Sequence, residues 1–101
     1  MRTFIVTRHG GAVDWIRNRL HTGVLHVLSH VDAQVFRAGD RVCGVLPLAL
    51  AARICASGAH AHVISYDVPE SLRGHELSAA TLDSLGAKLV QYDVRIVVPL
   101  P

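Results

Sequence analysis

Short apolar runs that alternate with stretches of helical spacing constrain this chain more than any other feature. Residues 4–6 (Phe-Ile-Val), 24–28, 42–46, 61–66 and 89–98 carry Val, Ile or Leu in runs bounded by turn residues. Runs of this kind suit strands that lie inside a sheet. Between them, Ala12, Val13, Ile16 and Leu20 share one arc of about 100°. That spacing predicts a helix over 12–20, with Trp15 beside the arc and Arg17 and Asn18 away from it. Pro47 before residues 48–57 and Gly58 after them are the start and stop signals of a second helix. Ser78 as N-cap and Gly86 as terminator bound a third helix that reaches Leu85. The order strand, helix, strand, strand, helix, strand, helix, strand predicts the α/β class, a mainly parallel sheet flanked by helices.

The chain of 101 residues is expected to form one domain over 1–101. With 50% of residues hydrophobic and 18% charged, a disordered chain and a coiled coil are both excluded. The second helix is apolar nearly all round, with Arg53 its only charge. Such a helix has to be covered on more than one side, which favours a subunit interface. Cys43 and Cys55 lie in apolar stretches and are expected as free thiols rather than a disulfide framework. The chain opens on a strand-like run, and no apolar stretch reaches the roughly 18 residues that span a bilayer. A soluble cytoplasmic protein with no membrane partner is expected. Net charge is +2 and no basic run exists, so long nucleic acid is not the expected partner. Nine of the ten basic residues are nonetheless Arg, which grips phosphate with two parallel donors. An anion would bind at a local site.

In parallel sheets, ligands bind beyond the carboxyl ends of the strands. That rule directs attention to residues 7–11, 29–32, 46–47 and 65–67. The strongest local signal is Thr7-Arg8-His9-Gly10-Gly11, between the first strand and the first helix. Two glycines permit close backbone approach, the helix N-terminus offers free N–H groups, Arg8 adds donors, and His9 can move a proton. The spacing matches neither a Walker loop nor a dinucleotide fingerprint. A phosphate cradle and a plain solvated turn are the two readings. Trp15 would either stack on a base or pack in the interior. His30 with Asp32, and His60 with His62, give only two metal ligands each, so no metal or other cofactor is expected. Ser65, Asp67, Arg73, His75 and Glu76 follow the fourth strand, but no Ser lies in a Gly-x-Ser-x-Gly elbow. They are either a loop of solvated charges or a group in which Asp67 and Arg73 order the loop or contact ribose and phosphate.

Arg8-His9-Gly10 is similar to the phosphohistidine loop of histidine phosphatases, but those folds need a second His late in the chain. Nothing after Glu76 is His, and the last stretch holds only Arg95. A broader likeness rests on residues 7–12 with Trp15, Gly44-Val45-Leu46-Pro47 leading into Leu50-Ala51-Ala52, Ser65-Tyr66-Asp67-Val68-Pro69, and Arg73-Gly74-His75-Glu76-Leu77-Ser78. In these blocks the sequence resembles the small CRISPR-associated Csx sixteen family, which accompanies type III systems. The resemblance spans residues 3 to about 86. It implies a small single-domain, Rossmann-like relative of the CARF fold that acts as a ring nuclease on cyclic oligoadenylate. Cyclic tetra-adenylate is the ring expected, lying across the two-fold axis of a homodimer. Attack by a ribose 2′-hydroxyl would give a 2′,3′-cyclic phosphate without metal. On this reading Arg8 and the amides of Gly10 and Gly11 stabilise charge, His9 transfers a proton, and Trp15 covers an adenine. Thr7, Pro47, Ser65, Asp67, Arg73 and Glu76 are further candidates for ligand contact. The rival reading is a module that sequesters or senses the ring without cutting it.

Overall fold

The computed structural model describes residues 1–20, 25–29 and 35–100. Strand β1 (Thr3–Val6) runs into helix α1 (Gly10–Arg19), and β2 (His26–Leu28) follows. Strand β3 (Arg41–Gly44) leads into α2 (Leu48–Ala56) and β4 (His60–Ser65). A 3-10 turn (Glu70–Leu72) precedes α3 (Ala79–Ser84), and β5 (Lys88–Tyr92) closes the order. This is the expected sequence of elements. The strands form one sheet in the order β2-β1-β3-β4-β5. All pairs are parallel except β4 with β5.

Alternation along the strands builds two apolar layers. Phe4, Val6, Val42 and Ala61 face Ala51 and Ile54 of α2, and Phe36, ahead of β3, completes the cluster. Ile5, Cys43 and Ile64 face the other way, onto Ala12, Trp15 and Ile16 of α1 and Leu82 of α3. Both cysteines are free, and burial pushes the Cys43 thiol up to about 11. No helix of the described residues is long and apolar enough to cross a membrane.

Two expectations change. Helix α1 starts at Gly10, so Gly10 and Gly11 form its first turn rather than a loop before it. Strand β5 ends at Tyr92 instead of continuing to residue 98. Its pairing runs out because Tyr92 already faces Ala61, one residue from the start of β4. The chain then turns onto α2: the Val94 N–H donates to Cys55 Sγ at 3.5 Å, and Val94 packs against the α2 cluster. Helix α2 therefore has part of its outer side covered by its own chain, while Leu48 stays 76% exposed. The expected strand start at Val24 and the pair His30 with Asp32 lie outside the described residues.

One buried carboxylate ties the strand starts together. Asp40 accepts from Arg2 Nη2 at 2.7 Å, from Arg2 Nε at 3.3 Å, and from the backbone N–H groups of Arg37 at 2.8 Å and Arg2 at 3.2 Å. Its own carbonyl accepts the N–H of His60 at 2.8 Å. The Arg2 side chain, helped by these backbone donors and opposed by burial, lowers the Asp40 carboxyl from 3.8 to about 2. A carboxyl lowered on folding stabilises the fold above its ordinary value, and that stabilisation is lost as pH falls through the folded value. Asp40→Asn is expected to cost about 1–3 kcal/mol at pH 7. The difference from the wild type should shrink as pH falls from about 4 towards 2. Urea unfolding of both proteins at pH 7 and at low pH checks this.

Candidate functional site

The site grows out of the end of β1. Thr7 is buried, and its hydroxyl accepts the His9 N–H at 3.1 Å. That bend places His9 as the extended N-cap of α1 (φ −95°, ψ 114°). The His9 carbonyl in turn accepts the N–H groups of Ala12 and Val13, each at 3.1 Å. The N–H groups of Gly10 and Gly11 donate to no backbone carbonyl among the described residues.

The two glycines differ in what surrounds them. A Cβ on Gly10 would meet nothing within 4 Å. A Cβ on Gly11 would lie 1.7 Å from the Leu77 carbonyl oxygen. Gly11 therefore admits the protein's own backbone, whereas Gly10 leaves its side open. The segment that approaches Gly11 leaves β4, makes the 3-10 turn, bends at Gly74 (φ +81°) and enters α3. Ser78 caps α3 as expected, its Oγ accepting the Thr81 N–H at 3.1 Å. Leu77 packs against the α1 cluster, which lays Glu76 beside His9. Glu76 Oε1 lies 3.1 Å from His9 Nδ1. A carboxylate at Nδ1 favours the proton there and leaves Nε2 for a ligand.

Two cavities meet at this histidine. The larger, of about 660 Å³, runs under residues 66–77 and is lined by His9, Tyr66, Asp67, Arg73, His75 and Glu76 over an apolar floor that includes Val45, Leu72 and Leu82. The smaller, of about 390 Å³, is lined by Thr7, Arg8, His9, Ser29, Pro47, Leu50 and Arg53. They share His9 and Val45, so together they form one groove. It lies beyond the carboxyl ends of β1, β3 and β4. In a sheet of this order the chain reverses direction between β1 and β3, the switch point where open parallel sheets bind ligands.

The groove brings together Thr7, Arg8, His9, Pro47, Asp67, Arg73 and Glu76. Trp15 is a correction. It is 1% exposed, donates from Nε1 to Asp83 Oδ1 at 2.8 Å, and lies under the Arg19 guanidinium. No face of its ring is open to a base, and its work is to join α1 to α3. Ser65 stands outside both linings, in register with Lys88 on β5. Tyr66, Val45 and Arg53 were not singled out for the groove by the sequence. The one available signal for Arg53 was its standing as the sole charge on an apolar helix. His60 and His62 lie at the opposite end of β4, where Gln91 Nε2 meets His60 Nδ1 at 3.2 Å. Burial, then Arg41 and His60, lower the His62 pKa. Among the described residues, no three His, Cys, Asp or Glu side chains are grouped to hold a metal ion.

Over residues 4–95 the sequence matches the model of a family described as "Putative CRISPR-associated protein (Cas_VVA1548)". No curated protein and no solved structure matches the chain significantly.

The contrast between the glycines is testable. Gly11→Ala is expected to cost about 1–3 kcal/mol, because neither backbone can yield without moving an element. Gly10→Ala should stay within about 0.5 kcal/mol of the wild type. Thermal unfolding of the two variants checks the difference, and equal melting temperatures would contradict it.

Proposed function

The chain belongs to this CRISPR-associated family, and on that premise we propose that it is a type III ring nuclease. It binds cyclic oligoadenylate, with cyclic tetra-adenylate the preferred ring, and cuts it to end antiviral signalling. The observation that carries the reading is His9, held at 3.1 Å by Glu76 on the wall common to both halves of the groove. The likeness to the Csx sixteen family supports the same reading. A CARF-related fold, a cytoplasmic location and a homodimer with the ring across its two-fold axis belong to it. A symmetric ring suits an isologous pair, in which each site residue occurs twice.

The chemistry follows from the substrate. The ribose 2′-oxygen forms a bond to phosphorus while the bond from phosphorus to the 5′-oxygen breaks. The 2′-hydroxyl gives its proton to water, and the leaving 5′-oxygen takes a proton from His9. The product ends in a 2′,3′-cyclic phosphate. Holding the attacking oxygen in line supplies much of the acceleration. Arg8 and the open N–H of Gly10 stabilise the charge that builds on the phosphoryl oxygens. Glu76 orients the His9 ring.

Purified protein incubated with cyclic tetra-adenylate in EDTA tests this, with products followed by liquid chromatography and mass detection. Linear products ending in 2′,3′-cyclic phosphate are expected. His9→Ala should lower the single-turnover rate by about 10²-fold or more while the ring still binds. Arg8→Ala should lower both rate and affinity. An intact ring that co-elutes with the protein would replace the nuclease with a sequestering or sensing module. Rings of four and six units that neither bind nor react would overturn the reading.

A further inference from the structure

The two halves of the groove differ in charge. Among the described residues, the charged or titratable side chains lining the smaller cavity are all basic: Arg8, His9 and Arg53. The larger cavity mixes acids with bases, with Asp67 and Glu76 facing Arg73 and His75, and adds the ring of Tyr66. Arg8 and Arg53 reach the smaller cavity from separate elements, one from the end of β1 and one from α2. Among the described residues, neither guanidinium has a carboxylate within 4.0 Å, unlike Arg2 and Arg19. Two guanidinium groups on one cavity, neither paired with a carboxylate of the described residues, make a site for a dianionic or diester phosphate. Arg53 lines this cavity together with Pro47 and Leu50 from the start of α2, and it also lines a cleft that holds Asp93.

We propose that the groove is divided into two subsites, in which Arg53 and Arg8 hold a phosphate in the smaller lobe and the larger lobe under residues 66–77 takes the attached nucleoside. This rests on the reading of the protein as a nucleotide-binding enzyme and deepens it. Arg53 becomes a binding residue, and His9 stands at the junction of phosphate and ribose. Asp67 and Glu76, unsuited to a phosphate, suit ribose hydroxyls, which donate hydrogen bonds to carboxylates. Tyr66 offers the larger lobe an aromatic surface for a base.

The test titrates the isotopically labelled protein with adenosine and with adenosine 5′-monophosphate, followed by amide chemical shifts. Adenosine is expected to shift amides within residues 66–77 and to leave those of Arg8 and Arg53 in place. The monophosphate should shift both groups. Arg53→Ala should weaken the monophosphate by about tenfold or more and leave adenosine unchanged. Arg53→Lys should recover part of the loss. The division is overturned if Arg53→Ala leaves the monophosphate within about twofold. It is equally overturned if adenosine shifts the Arg8 and Arg53 amides, or if neither compound shifts either lobe. Cyclic tetra-adenylate, titrated in parallel, separates the two ideas: a ring that fails to bind while the monophosphate keeps its pattern removes the ring nuclease and retains the subsites.

Discussion

The approach of the Leu77 carbonyl to Gly11 is the contact on which the groove depends. It brings the segment between β4 and α3 against the first turn of α1, with no side chain between the two backbones. Leu77 then joins the α1 cluster, and α3 follows with Leu82 buried in the same layer. Trp15, through Asp83, fixes the other end of the same pair of helices. The consequence at the surface is Glu76 beside His9 and a cavity under residues 66–77. A methyl group at position 11 would act on all of these together, because they hang from one backbone contact.

The site needs little energy of its own. His9 and Glu76 are 62% and 72% exposed, and an ion pair so open to water contributes between nothing and about 1 kcal/mol. Their pairing therefore does not hold the groove in shape. It is the reverse: helix packing and the β1 turn bring the two side chains together, and the pair is left free to respond to a ligand. The Arg2–Asp40 ion pair is the opposite case. Its carboxylate is 4% exposed and accepts from backbone groups as well as from Arg2, so it serves the framework at the far end of the strands.

The order of elements was legible because apolar periodicity, Pro47, Gly58, Ser78 and Gly86 all mark local events. The position of the groove was legible from the strand ends, and Arg8, His9, Asp67, Arg73 and Glu76 stand on it. What escaped was non-local. The apolar run through residues 94–98 suits a strand, yet β4 offers no partner beyond Ala61 and His60. Gly11 looked like room for a ligand because the sequence does not say that Leu77 fills it. Trp15 looked available for stacking because its partner, Asp83, lies 68 positions away. Arg53 sat in an apolar helix far from the glycine turn, and only the crossover from β3 to β4 carries α2 past Arg8.

Helix α2 shows how composition and position combine. Its apolar surface asks for cover, and Val94 and the residues that follow β5 supply some of it. Leu48 remains open at its start, and Ile96, Val97 and Val98 are exposed as well. Arg53 lines the smaller lobe and also a cleft with Asp93, Val94 and Ile96. A cation in the last turn of α2 suits the negative end of the helix, and under the proposed subsites the same side chain carries charge to the strand ends, where a phosphate would meet it.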